Sequence, residues 1–199
     1  MEKSLRFSTG YITRVAVLGA IGGLLFLIPG IPIIGFYKMD FSTLPAILGG
    51  FALGPFAGFL CVLIKSLIGM LTSTTMYVGE LADLLTSGTF VIVASMYYAR
   101  HRDRRGALIG MGIATVVMSI VGALANYFIL IPFYIIVMNY PTAAIVSMTA
   151  KTIPFIDSIE KVVLLATTPF NLLKGILLSA LTFLLYKRLS PLLHGRKVI

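Results

Sequence analysis

The feature that most constrains this chain is the scarcity of charge along most of its length. Residues 12–28, 43–72, 79–99, 106–137 and 169–186 are long apolar runs, none with more than two Asp, Glu, Lys or Arg residues. A bilayer's hydrocarbon core is about 30 Å thick and is crossed by roughly 20 residues of helix. The runs are therefore read as membrane spans, and 58% hydrophobic against 12% charged residues agrees, since soluble domains carry about 25% charged residues. One compact helical bundle is the natural outcome.

The formal net charge of +9 is less informative than where the basic residues fall. Lys3, Arg6 and Arg14 flank the first run; Arg100, Arg102, Arg104 and Arg105 lie in "ARHRDRRG"; Lys187, Arg188, Arg196 and Lys197 close the chain. Placing all three clusters in the cytoplasm requires an even number of crossings between each, and four plus two satisfies this. The first span is read over Ile12–Ile28, followed by an external loop, "PGIPIIGFYKMDFS". Two spans share residues 43–72 with Gly54-Pro55 as their turn, the first of them short enough to be re-entrant. The fourth covers Gly79–Ala99, the fifth Gly106–Val137, and the sixth Pro169–Tyr186. Pro132 should kink the fifth run or end it early. "NYPTAAIVSMTAKTIPFIDSIEKVVLLATT", before the last span, is long for a connection and should form a partly helical external cap. Residues 1–199 thus read as a single membrane-embedded, all-α domain: six transmembrane helices, both termini cytoplasmic, with an external loop capping a binding site. Further spans follow the first run where a cleavage site would stand, so the N-terminus is expected to be retained.

Ionisable residues at membrane depth mark the interior or a water-filled cavity. Asp40, Lys65, Glu80, Asp83 and Lys174 qualify by position, joined by the amides Asn126 and Asn171. Asn171 and Lys174, in "PFNLLKG", are three apart and share a helix face, as are Glu80 and Asp83 in "GELADLL". Structural roles compete with binding for several of these. Lys65 can neutralise Glu80 or Asp83; Glu80 can be a first-turn acid favoured by the helix dipole; Asp40 can cap the next helix alongside Ser42 or Thr43; Asn126 can join helices. Lys174 lies a full turn inside its run, where snorkelling outward is difficult. In "AVLGAIGG", Ala16 and Ala20 are four apart, as are Gly19 and Gly23, giving a surface that another helix can approach closely, inside this bundle or in a partner.

Enzyme signatures do not emerge. The only histidines, His101 and His194, fall in the basic loop and tail, so neither a histidine triad nor a histidine-based metal site assembles at depth. The single cysteine, Cys61, cannot form an internal disulfide. "GFLCVLIKS" has Ile64 where a phosphate-binding loop needs glycine before its lysine. ATP hydrolysis, if it drives this chain, belongs to another chain.

The strings "KMDFSTLPAILGGFALGPFAGFLCVLIKSLI", "ANYFILIPFY" and "PFNLLKGILLSALTFLLYKRL", in that order and over most of the chain, resemble the riboflavin-specific S components (RibU family) of energy-coupling factor (ECF) vitamin transporters. The resemblance implies a multi-pass bacterial cell-membrane protein with no catalysis and no cofactor, carrying riboflavin, or its phosphate FMN, as substrate. It implies partners too: a transmembrane coupling subunit, met by the face bearing Ala16 and Ala20, and two cytoplasmic ATPases. Asn126, Asn171 and Lys174 match positions that hydrogen-bond the vitamin in that family. Asp40 matches the external loop that closes over the site, and Lys65 a recurring lysine. Asp83 departs from the pattern, standing where asparagine is common; an acid there would compensate Lys65 or alter contact with the ribityl chain. Other readings of the same residues are an S component for another vitamin such as thiamine, a stand-alone proton-coupled carrier using Glu80 and Asp83, a membrane enzyme, or a purely structural subunit.

Overall fold

Hydrocarbon supplies no hydrogen-bond partners, so each backbone N–H and C=O must be satisfied within the chain. Here the apolar runs meet that demand as helices. The computed structural model describes residues 8–35, 37–73 and 75–193, with side chains through residue 185. Lys3, Arg6, His194, Arg196 and Lys197 lie outside the described residues, as do the side chains of Lys187 and Arg188.

Helix α1 (Thr9–Leu27) starts where the Ser8 side chain accepts the Tyr11 N–H. The expected loop after it contains an antiparallel hairpin, β1 (Ile31–Ile34) and β2 (Tyr37–Met39), so the chain is not purely helical. Gly35, at φ +54°, lies in its connection. α2 (Leu44–Leu53) has ten residues, about 15 Å of helix, or half the hydrocarbon thickness. Gly54, at φ +104°, reverses the chain into α3 (Pro55–Gly69), as "GP" suggested; a 3₁₀ turn, Met70–Thr72, extends α3. α4 (Val78–Arg100) and α5 (Arg104–Ala125) follow, the latter capped by Asp103, which accepts the Gly106 N–H.

One expectation is narrowed and one corrected beyond α5. Pro132, expected to kink the fifth run or end it early, does not end it: a π-helical turn at Asn126–Leu130 leads into α6 (Ile131–Ile136). Proline lacks the N–H for an i→i−4 bond and crowds the preceding carbonyl. The widened turn just before it, where the Ile131 N–H reaches the Asn126 carbonyl, lets the helix pass. The last run begins not at Pro169 but at Ile159: α8 (Ile159–Val162) passes through a second π turn, Val163–Thr167, into α9 (Thr168–Leu193). Between these arms lies the segment expected to form a partly helical cap, helical at α7 (Thr142–Ala150).

Among the described residues, five helical stretches are long and apolar enough to cross a membrane, namely Thr9–Leu27, Pro55–Thr72, Val78–Arg100, Arg104–Ile136 and Ile159–Leu185, and α2 is a shorter apolar helix. The main core gathers Ile47, Cys61, Val62, Phe90, Val91 and Met111 from α2–α5. A second apolar cluster, including Ile131, Ile145, Ile156 and Val163, seats the cap on the bundle beside Ile34 and Tyr37 of the hairpin.

The small-residue stripe of α1 divides. A Cβ on Gly19 would lie 2.8 Å from Ile64 Cβ, and one on Gly23 2.9 Å from Ile68 Cβ, so the glycines face α3 inside the bundle. Ala16 is exposed and Ala20 half-buried. Gly19→Val should therefore overpack the α1–α3 contact and cost about 1–3 kcal/mol. Thermal unfolding in detergent should show a lowered midpoint for Gly19→Val and little change for Ala16→Val.

Candidate functional site

The ends of these elements surround a cavity of about 720 Å³, within the range of about 300–1,000 Å³ usual for small-molecule sites. Phe26 and Leu27 of α1, the hairpin's Tyr37, the first turns of α4, the π turn before α6, Ile145 and Met148 of α7, and the start of α9 form its walls. Most of that lining is apolar. The polar exceptions include most of the residues singled out from the sequence: Asp40, Glu80, Asp83, Asn126, Asn171 and Lys174 all line this one space.

One wall is charged. α9 directs Lys174 between two carboxylates, its Nζ lying 3.3 Å from Asp40 Oδ2 and 2.9 Å from Asp83 Oδ1. Lys65 on α3, fully buried, places its Nζ 2.5 Å from Asp83 Oδ2 and donates to Ser42 Oγ at 3.0 Å and Thr43 Oγ1 at 3.1 Å. Ser42 in turn donates to Asp40 Oδ1 through both its hydroxyl and its N–H. The circuit Lys65, Asp83, Lys174, Asp40, Ser42 closes on itself. Two ammonium groups and two carboxylates balance, which is what a buried charge cluster requires, because an unpaired ion in this setting costs several kcal/mol. The Ser87 hydroxyl adds a 2.9 Å bond to Asp83 Oδ1.

A polar knot on the other side joins hairpin and bundle. The Tyr37 hydroxyl donates to Asn126 Oδ1 at 3.0 Å and also bonds Thr167 Oγ1, while its ring stacks on Phe170 at 5.1 Å. Asn126 Nδ2 donates to the Gly122 carbonyl and Asn171 Nδ2 to the Thr167 carbonyl. Each amide thus keeps one local bond that sets its orientation, and Asn171 Oδ1 takes no hydrogen bond among the described residues.

The competing structural readings resolve individually. Lys65 pairs with an acid, and that acid is Asp83; Lys65 is not among the residues lining the cavity. Asp40 is not a helix cap, since Thr43 holds that position without a capping bond and the Asp40 carboxylate turns back onto Ser42. Glu80 stands in the first turn of α4 and accepts from Ser73 Oγ at 2.8 Å and Thr75 Oγ1 at 3.3 Å. Tyr37, Ser87, Thr167 and Phe170 were not singled out. The adjacency of Tyr37 to the "KMD" string was a signal for it, whereas Ser87 carried one only by its i+4 spacing from Asp83.

Burial works against a charge on Asp40, but Lys174 and Lys65 outweigh it and hold its carboxyl below the usual carboxylate range. For a lowered carboxylate the stabilisation is present above the unfolded-state pKa and fades as pH falls through the folded one. The tie between the 40–43 segment and α9 is therefore intact at neutral pH.

A capped, mostly apolar cavity with one self-neutralised polar wall, set at the end of a helical bundle, is the geometry of a small-molecule-binding membrane protein. Residues 10–186 match the family model for the substrate-specific component of ECF transporters, and the chain belongs to that family. Among its relatives, a riboflavin transporter, RibU, of Staphylococcus aureus (strain TCH60) is 33% identical over 92% of this chain and 91% of its own length. FmnP, a riboflavin transporter of Bacillus subtilis (strain 168), is 25% identical over 92% of this chain and 93% of its own length. A solved S component of a bacterial ECF transporter superposes with a TM-score of 0.73 at 31% identity, over 94% of this chain and 98% of that one.

Removing one partner of a buried ionic cluster typically costs about 3–5 kcal/mol. Lys174→Met, which leaves two carboxylates facing one ammonium, should markedly lower the thermal midpoint of the ligand-free protein in detergent.

Proposed function

We propose that this chain is the riboflavin-capturing component of an ECF-type vitamin uptake transporter, taking riboflavin from outside a bacterial cell and passing it inward with a coupling subunit and separate ATPases. The observation that carries the reading is the convergence of Asn126, Asn171 and Lys174, two amides and an ammonium, on one capped and otherwise largely apolar cavity. An isoalloxazine ring has an apolar dimethylbenzene end and an uncharged pyrimidine-dione edge with donors and acceptors; amides offer both and an ammonium offers donors. The charged wall is already balanced, so it asks no net charge of a ligand. The names of the relatives point to the same vitamin.

Orientation follows from charge. The cavity adjoins the first turns of α4, and the exposed Arg100, Arg102, Arg104 and Arg105 follow at the far end of its 23 residues, about 34 Å away. Basic loops remain cytoplasmic, which supports an external cavity, six crossings with α2 as a short second one, and both termini inside. The exposed Ala16 face of α1 is the surface offered to the coupling subunit. Rearrangement against that subunit, with ATP used elsewhere, would open the site inward.

Detergent-purified protein should quench riboflavin fluorescence saturably and one-to-one; a protein that never quenches overturns the proposal. Asn171→Ala should weaken binding by roughly one to two decades, as expected for about 1–3 kcal/mol from an unpaired ligand atom. Replacing Ala16 and Ala20 together with leucine should abolish co-purification with a coupling subunit while riboflavin titration stays unchanged.

A further inference from the structure

We infer that Lys65 is a positioning residue, which without touching the ligand holds Lys174 and the 40–43 segment in place through Asp83 and Ser42. The inference rests on the riboflavin reading for its binding readout. Three observations carry it. Lys65 is 0% exposed and absent from the cavity wall, and Phe26, which does line the cavity, has its ring centroid 5.0 Å from the ammonium. Its two strongest links run to groups that themselves hold cavity-lining residues: Asp83 Oδ2 at 2.5 Å, whose other oxygen receives Lys174, and Ser42 Oγ at 3.0 Å, which donates to Asp40. Finally, the circuit is electrically closed, so removing one cation leaves a net negative charge in a buried place.

The groups facing this circuit are Lys65 from α3, Asp83 from α4, Lys174 from α9 and Asp40 from the segment before α2. Glu80 lies one turn before Asp83 on α4, held by Ser73 and Thr75, and Lys38 lines the cavity from β2. With all four members present the charges cancel. Without Lys65, Lys174 is shared by two carboxylates with no second cation, so the lysine is drawn more tightly into the wall and the 40–43 segment loses its anchor on α3. Without both Lys65 and Asp83, Lys174 and Asp40 remain a balanced pair.

This yields a double-mutant cycle on the full chain in detergent, with riboflavin fluorescence quenching as the binding readout. Lys65→Met alone should weaken binding about tenfold or more near neutral pH. The same substitution in an Asp83→Asn background should cost clearly less, since the two members interact and only the Ser42 anchor is then lost. The loss in Lys65→Met should also shrink as pH is lowered, because Asp40, relieved of one of the two ammonium groups that hold its carboxyl down, takes up a proton more readily and restores neutrality. A lysine that only supports packing moves neither the background dependence nor the pH profile.

An unchanged affinity in Lys65→Met overturns the inference, as does an equal, pH-independent loss in both backgrounds. If Lys65→Met fails to fold, the comparison of Asp83→Asn with Lys65→Met/Asp83→Asn decides: a small further loss supports the inference and a large one overturns it. If the wild-type chain does not bind riboflavin at all, the functional proposal falls. The circuit is then tested by the same cycle in ligand-free thermal midpoints, where a background-independent effect of Lys65→Met overturns it.

Discussion

Three buried charges, Lys65, Asp83 and Lys174, and a fourth, half-buried at Asp40, dominate this structure, because none of the three is easily tolerated without its partners. Taking an ammonium or a carboxylate out of water is costly unless its partner arrives in good geometry with its remaining hydrogen bonds satisfied. Lys65, Asp83, Lys174 and Asp40 satisfy that condition only when α3, α4, α9 and the segment preceding α2 meet at one level. Ser42, Thr43 and Ser87 complete the shell. The brevity of α2 then has a physical reading: its N-terminus must begin deep enough for Ser42 and Thr43 to reach Lys65. A wall assembled this way is rigid and neutral, and it presents the lysine to the cavity without an unpaired charge.

The second organising device is a pair of widened helical turns. Both precede prolines, Pro132 and Pro169, and both contribute to the site: Asn126 opens the first and Thr167 closes the second. A proline inside an apolar helix frees a carbonyl that hydrocarbon cannot satisfy. Here the longer-range bonds of a π turn absorb the irregularity, and such turns cluster at functional sites. The Tyr37 hydroxyl bonds side chains from both turns, so the hairpin is fastened to the two places where the helices depart from regularity.

Much of the architecture was legible because the bilayer imposes simple demands. Hydrophobic run length located five of the helices, the Gly54-Pro55 turn was visible as a dipeptide, and the depth of Lys174 and Asn171 within their run singled out two residues that line the cavity. The resemblance carried by "PFNLLKG" and "ANYFILIPFY" reached the family. The hairpin was missed because four strand residues beside three carry no periodic signal of their own. For Pro132 the sequence left a kink and an early end both open, and the helix ahead of Pro169 was missed because proline is read as a breaker; nothing local announces the widened turn that accommodates it. The α1 stripe is intermediate: spacing showed two small-residue faces, and only packing against Ile64 and Ile68 decided that the glycines turn inward.

The sequence by itself determined that the chain lives in a membrane, which residues are polar at depth, and the family it belongs to, because hydropathy, spacing and motif are properties of the string. Tertiary structure alone decided which acid Lys65 meets, that Asp40 turns to Lys174 instead of capping a helix, and that Tyr37 links the hairpin to the bundle. These contacts join residues 18 to 134 positions apart. Charge pairing over such separations depends on distances of a few ångströms that no local pattern encodes.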